Sequence, residues 1–136
     1  MGLMSGNYKI AFALLGGIFG WLFGGFDGLF YALVALVIID YITGVLVAIY
    51  EKKVSSVIGF KGISRKTMIF ALIASGSIID QHIIGSGNSI RTMLIVFYLA
   101  NEGISIIENA GKVGLPMPEK FKNIFSQLNL AEKDKK

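Results

Sequence analysis

The sequence predicts an all-α integral membrane protein with about four transmembrane helices and a C-terminal amphipathic helix. Composition is the first observation behind this reading. Hydrophobic residues make up 54% of the 136-residue chain, charged residues only 16%, and the mean hydropathy is +0.66. Soluble domains are about 45–50% apolar. The second is charge placement, which leaves the uncharged stretches Ile10 to Phe26, Gly28 to Ile39, Tyr41 to Tyr50, Thr67 to Ile79 and Thr92 to Asn101. The third is length: a bilayer core takes roughly 20 apolar helical residues, and several stretches approach this once a single interrupting charge is allowed. The chain, 1–136, reads as one membrane domain.

The first expected span covers about residues 10–26. Its apolar run exceeds a signal-peptide core of about 7–15 residues and no A-x-A site follows, so it reads as a retained membrane helix. Gly16, Gly20, Gly24 and Gly28 recur every fourth residue, which on a helix makes one face for close packing. The alternative is that Gly24, Gly25 and Gly28 form the turn around Asp27, leaving only the Gly16 and Gly20 pair. A three-span variant, with this segment re-entrant or interfacial, stands beside the four-span reading.

The second span, about 29–50, carries Asp40 near its centre. Asp40, Thr43, Gly44 and Val47 follow the i, i+3, i+4, i+7 pattern, so their common face should point to protein, because a mid-bilayer carboxylate costs a few kcal/mol or more. The stretch Glu51 to Lys66 reads as a basic loop with a short interfacial piece. The third span, about 67–84, ends near Asp80 and His82, and the GSGN turn (Gly85 to Asn88) leads to the fourth, about 89–107. There Arg91, Tyr98, Glu102, Ser105 and Asn109 fall on one narrow helical stripe. Pro116 and Pro118 stop that helix. An amphipathic helix is expected over about 118–130, with Phe121, Ile124, Phe125 and Leu128 on its apolar face, followed by a disordered charged tail, 131–136.

The net charge of +4 comes from two basic clusters, Lys52 to Lys66 and Lys112 to Lys136. Both lie beside apolar segments, where anionic lipid headgroups are the expected partner. No nucleic-acid signature is present. Because Lys and Arg concentrate on the cytoplasmic side, both clusters and both termini are expected inside, with the GGFDG and GSGN turns outside.

Helix rise places Asp80 and Arg91 at matching depth, roughly 5–6 Å below the outer surface, so an ion pair between them across the GSGN turn is expected. Asp40 lies roughly 17 Å deep, level with Tyr98 and Asn101 as hydrogen-bond partners; a partner subunit or water is the alternative. The chain has no cysteine and one histidine, His82, which excludes disulfides, thiolate chemistry and a self-sufficient metal site. GxxxxGK[ST], GxSxG and HExxH are all missing, and Asp40 and Asp80, at different depths, make a poor aspartyl-protease pair. No catalytic, cofactor-binding or metal-binding residue is expected.

Four motifs, DYITGVLVAI (Asp40 to Ile49), SSVIGFKGISRK (Ser55 to Lys66), IRTMLIVFYLANEGISIIENA (Ile90 to Ala110) and GLPMPEK (Gly114 to Lys120), occur in this order. In sequence and spacing they resemble the toxin secretion/phage lysis holin family over roughly residues 28 to 130. The resemblance implies a non-enzymatic protein of the bacterial cytoplasmic membrane. Such proteins oligomerise into lesions that release a muralytic endolysin for host lysis, or export a large toxin. The family's recurring residues carry over as Asp40, Thr43 and Gly44; Ser55, Ser56, Gly59 and Gly62; Arg91, Tyr98, Asn101, Glu102, Ser105, Glu108 and Asn109; and Pro116 and Pro118. Paired starts at Met1 and Met4, which some holins use to make an inhibitor form, are permitted. Holin, small ion or solute channel, and non-porating membrane scaffold are therefore the three functions to separate.

Overall fold

The computed structural model describes residues 2–121 together with Asn123, Ile124 and Gln127. Four helices follow one another: α1 (Gly2–Leu22), α2 (Gly28–Tyr50), α3 (Ser56–Ile78, prolonged by a π-helical stretch Ile79–Ile84) and α4 (Ser89–Lys112). Three are long and apolar enough to cross a membrane: Gly28–Tyr50, Ser56–Ile84 and Ser89–Lys112. The chain is a multi-pass membrane protein. α1 opens with the polar Ser5, Asn7 and Lys9 and is not one of these three.

Local chemistry sets the helix ends. The Asp27 side chain accepts the Phe30 N–H at 2.9 Å and caps α2, satisfying one of the donors that a helix start leaves free. Gly24 (φ 76°) and Gly25 (φ 104°) make the turn between α1 and α2, a backbone region that favours residues without a side chain. α4 takes its cap from a distance. Asp80 accepts the Ile90 N–H at 3.1 Å and the Arg91 N–H at 2.9 Å, placing a carboxylate on the positive end of the helix. Gly114 (φ 90°) and the prolines then end α4.

α2 and α4 run parallel and form the main packed pair, with α3 antiparallel beside them. Between them lies an apolar layer of Phe30, Leu33, Val37, Ile69, Ile73 and Ile95, flanked by Phe23 and Phe70. The rings of Phe23, Phe30 and Phe70 pack with centroids 5.0–6.1 Å apart. Gly76 lets α3 and α4 approach closely, since a Cβ there would sit 2.8 Å from Leu94 Cδ1 and 3.0 Å from Ile90 Cγ2. Outward, Ile38, Ile42, Leu46 and Ile49 of α2 are exposed, as lipid-facing residues are. α1 stands apart: from Asn7 to Phe19 every residue is exposed, and only its C-terminal end reaches the bundle.

Three expectations are corrected. The stretch 51–66 is a loop only as far as Ser55; from Ser56 it is helix, so the third span begins eleven residues before Thr67. The reason is a stripe at helical spacing, buried from Asp80 through Gly76 and Ile73 to Ile69 and half-buried onward to Lys66, Gly62 and Gly59. The face of Gly16, Gly20, Gly24 and Gly28 does not exist as one helix surface, because α1 ends at Leu22 and Gly28 already belongs to α2. Instead, Gly24 and Gly25 form the turn and Gly28 begins the next helix. The fourth span extends to Lys112, past 107. Of the expected helix 118–130, positions 119–121, 123, 124 and 127 are helical and Pro118 is not; its remainder and the tail 131–136 lie outside the described residues.

Candidate functional site: two polar layers in the bundle

The buried polar side chains among the described residues gather in two layers on either side of the apolar one. The outer layer, so called for its place at the end of the bundle that carries the α1–α2 turn, is centred on Arg91, only 1% exposed. Its guanidinium donates to Asp27 (Nη1 to Oδ2 2.9 Å, Nη2 to Oδ1 3.2 Å), to the Gly25 carbonyl (2.9 Å) and, through Nε, to the Phe23 carbonyl. Its Cζ also lies 6.0 Å from the Phe30 ring centroid. All of these acceptors belong to the α1–α2 turn, which Arg91 thereby fastens to α4. The turn fits only with glycine at 24: a Cβ there would come within 2.5 Å of Ser77 Oγ and 2.8 Å of Arg91 Cδ.

Asp80 and Arg91 are neighbours, as their matching depths imply, but the expected side-chain pair between them is not made. Both Asp80 oxygens are used on the α4 backbone, and the guanidinium turns away to Asp27. A bidentate fork with two added carbonyls satisfies an arginine more fully than one shared carboxylate does. The Arg91 hydrogen bonds hold the Asp27 carboxyl below its usual range, against the opposing effect of burial. Sequence reading treated Asp27 only as part of a turn. The signal for its capping role was an Asp directly before an apolar helical run.

The inner layer joins α2, α3 and α4. Lys66 Nζ lies 2.6 Å from Asp40 Oδ2 and 2.8 Å from Glu102 Oε2. The other Asp40 oxygen accepts from Ser105 Oγ at 2.6 Å and from Asn109 Nδ2 at 3.0 Å. Asn109 also donates to Thr43 Oγ1 at 2.9 Å, and Thr43 donates to the Asp40 carbonyl at 3.0 Å. Gly44 lies beside Asn109, whose Nδ2 would be in ordinary contact, 3.9 Å, with a Cβ at that position. This layer sits roughly 17–21 Å from the Arg91 layer, counted along the three helices.

Asp40, Thr43, Gly44, Glu102, Ser105 and Asn109 thus meet in one network. Tyr98 is half-buried beside the apolar layer, and Arg91 belongs to the outer layer. A Cβ added at Gly16 would meet nothing within 4 Å, and one at Gly20 would meet only the Phe26 ring. Tyr98 and Asn101 were the expected partners of Asp40, whereas its partners are Ser105 and Asn109 one to two turns further on. Lys66 was missed because the helix carrying it was read as a loop.

Two carboxylates sharing one ammonium can take up and release protons and can exchange partners, and hydroxyl and amide donors steady them. Clefts of about 420 Å³ and about 560 Å³ flank the network. The first is lined by Lys53, Ser55, Gly59 and Arg65, the second by Arg65, Leu72, Tyr98 and Asn101. Among the described residues no group of three His, Asp or Glu side chains is arranged to hold a metal ion.

The Bacteriophage holin family matches residues 17–130, which include all three candidate spans and both polar layers. The protein Lin0175 of Listeria innocua is 45% identical over 86% of this chain and 83% of its own length. A 14.9 kDa protein in the nagH 3′ region of Clostridium perfringens is 37% identical over 90% of this chain and 94% of its own. YqxH of Bacillus subtilis is 35% identical over 85% and 79%. No solved structure matches the chain.

Proposed function

The chain belongs to the bacteriophage holin family, and from that premise we propose that it self-associates in the bacterial cytoplasmic membrane and opens lesions in it. The lesions pass a muralytic endolysin to the cell wall, or a large toxin out of the cell. The observation that carries this reading is the inner polar layer. A bundle that buries Asp40, Lys66 and Glu102 at mid-span holds a charged surface that hydrocarbon rejects and water accepts. Separation of the helices turns that surface into the wall of a wet opening, as polar rings do in channels. Helix exchange between copies supplies the separation, because the same contacts re-form between chains.

The orientation proposed has the α2–α3 turn and the end of α4 in the cytoplasm, since Lys52, Lys53, Lys61 and Arg65 cluster there. Lys52 to Lys66 and the C-terminal tail then face anionic headgroups. The native chain has no cysteine, so single introduced cysteines test this directly. Ser86→Cys is labelled by an impermeant thiol reagent from outside intact cells and Ser55→Cys is not; the reverse pattern overturns the orientation.

The function is tested by timed expression in a bacterium. Membrane potential collapses abruptly, and co-expression of a cytosolic muralytic enzyme turns collapse into lysis. Steady growth at high membrane levels of the protein rejects the lesion. Leakage of ions without passage of the enzyme assigns a small channel instead, and an intact potential assigns a scaffold.

A further inference from the structure

Polar side chains on the outside of a membrane bundle satisfy themselves where they can. Thr67 Oγ1 donates to the Ile63 carbonyl at 2.8 Å, and Ser75 Oγ to the Ala71 carbonyl at 2.9 Å, each on its own helix. The cleft between α3 and α4 behaves differently. Tyr98, Asn101 and Arg65 line it beside Asp40, Lys66 and Glu102 of the inner layer, and the side chains of the first three have no hydrogen-bond partner among the described residues. Asn101 lies roughly 18 Å along α4 from Ser89, close to the middle of that helix. Acyl chains offer it no donor and no acceptor, and each unsatisfied polar group in hydrocarbon costs several kcal/mol.

We propose that this cleft is the surface on which a second copy of the chain packs, with Tyr98 and Asn101 forming hydrogen bonds between the copies. A carboxamide and a phenol each carry both a donor and an acceptor. The same two side chains on a copy related by a two-fold axis therefore supply what each lacks. Interhelical amide bonds of this kind hold membrane helices together where apolar contact gives little preference over lipid. Met68 and Leu72, 60% and 40% exposed, flank the polar groups and give the packing around them. The proposal rests on the self-association reading above and adds the face through which association occurs.

The test uses the full-length protein in membranes under conditions that do not depend on lysis. Single cysteines are placed in the cleft (Met68→Cys, Leu72→Cys) and on the lipid-facing side of α2 (Ile42→Cys, Ile49→Cys), and a short bifunctional thiol reagent is added. The cleft positions give cross-linked dimers and the α2 positions do not. Asn101→Leu weakens self-association in vesicles, measured by energy transfer between labelled copies, about tenfold, whereas Asn101→Gln keeps most of it. Helix content of Asn101→Leu is unchanged, because no bond within the chain is lost. Cross-linking that favours the α2 positions overturns the proposal, as does full association of Asn101→Leu. Labelling of Asn101→Cys by a water-soluble thiol reagent in the assembled state also overturns it, assigning the cleft to water. Cleft cross-links in a protein that never permeabilises its membrane keep this face and reject the lesion, while lesions with α2 cross-links do the opposite.

Discussion

The two polar layers bury similar chemistry and are built in opposite ways. In the outer layer Arg91 meets two backbone carbonyls and a carboxylate from a single five-residue stretch, Phe23 to Asp27, and Asp80 is spent on backbone N–H groups. In the inner layer nearly every contact is side chain to side chain, and three helices each contribute: Asp40, Thr43; Lys66; Glu102, Ser105, Asn109. Backbone acceptors fixed in a turn define one geometry. Side chains on separate helices come apart whenever those helices do, and find equal partners on another copy. The outer layer fastens the α1–α2 turn to α4, and the proposed separation of helices draws on the inner.

The sharpest way to break that contrast is to remove one partner at the inner layer. Lys66→Met leaves two carboxylates buried without their cation and should cost about 3–5 kcal/mol in denaturation of the detergent-solubilised protein. Adding Asp40→Asn and Glu102→Gln to it should restore most of the loss. If the triple variant is no better than the single, the network is not a charge-balanced unit. Gly24→Ala comes next: strained backbone plus a close approach to Ser77 Oγ and Arg91 Cδ predicts about 2 kcal/mol, read as a lower melting temperature.

Asp27→Asn should cost less, about 0–1 kcal/mol, since that side chain is 47% exposed and screened. Its pH dependence has a definite sign. A carboxyl held below its ordinary value of 3.8 adds stability above that pH and loses it as the pH falls further. Acid melts should therefore show a step below pH 3.8 that Asp27→Asn abolishes. A double-mutant cycle should also couple the Arg91 side chain to Asp27 and leave it uncoupled from that of Asp80. The smallest effect belongs to Ile42→Ala on the lipid face, within about 0.5 kcal/mol. A large loss there would mean that α2 packs on protein where the fold leaves it bare.

The legibility of the fold follows the same division. α2 and α4 are readable because long apolar runs with single charges admit few interpretations. The start of α3 is not, because Ser, Gly and Lys in 51–66 match loop composition while their spacing matches a helix face, and composition was weighed above spacing. The partners of Asp40 were misread for a geometric reason. Depths counted from Leu29 and Ser89 treat those residues as level, whereas Asp27 is level with Arg91, which displaces the register by about one turn. The Asp80–Arg91 neighbourhood was legible from depth alone. The choice of Asp27 over Asp80 was not, because depth carries no information on where a guanidinium turns.

Parallel packing of α2 on α4 has a consequence for synthesis. Asp40 and Asn109 are 69 positions apart, with all of α3 between them. At about 5–20 residues per second, a ribosome takes roughly 3–14 s to travel that distance. For most of this interval Asp40 has Lys66, 26 positions on, but not the Ser105 and Asn109 side chains, so the layer closes only when the last helix is made.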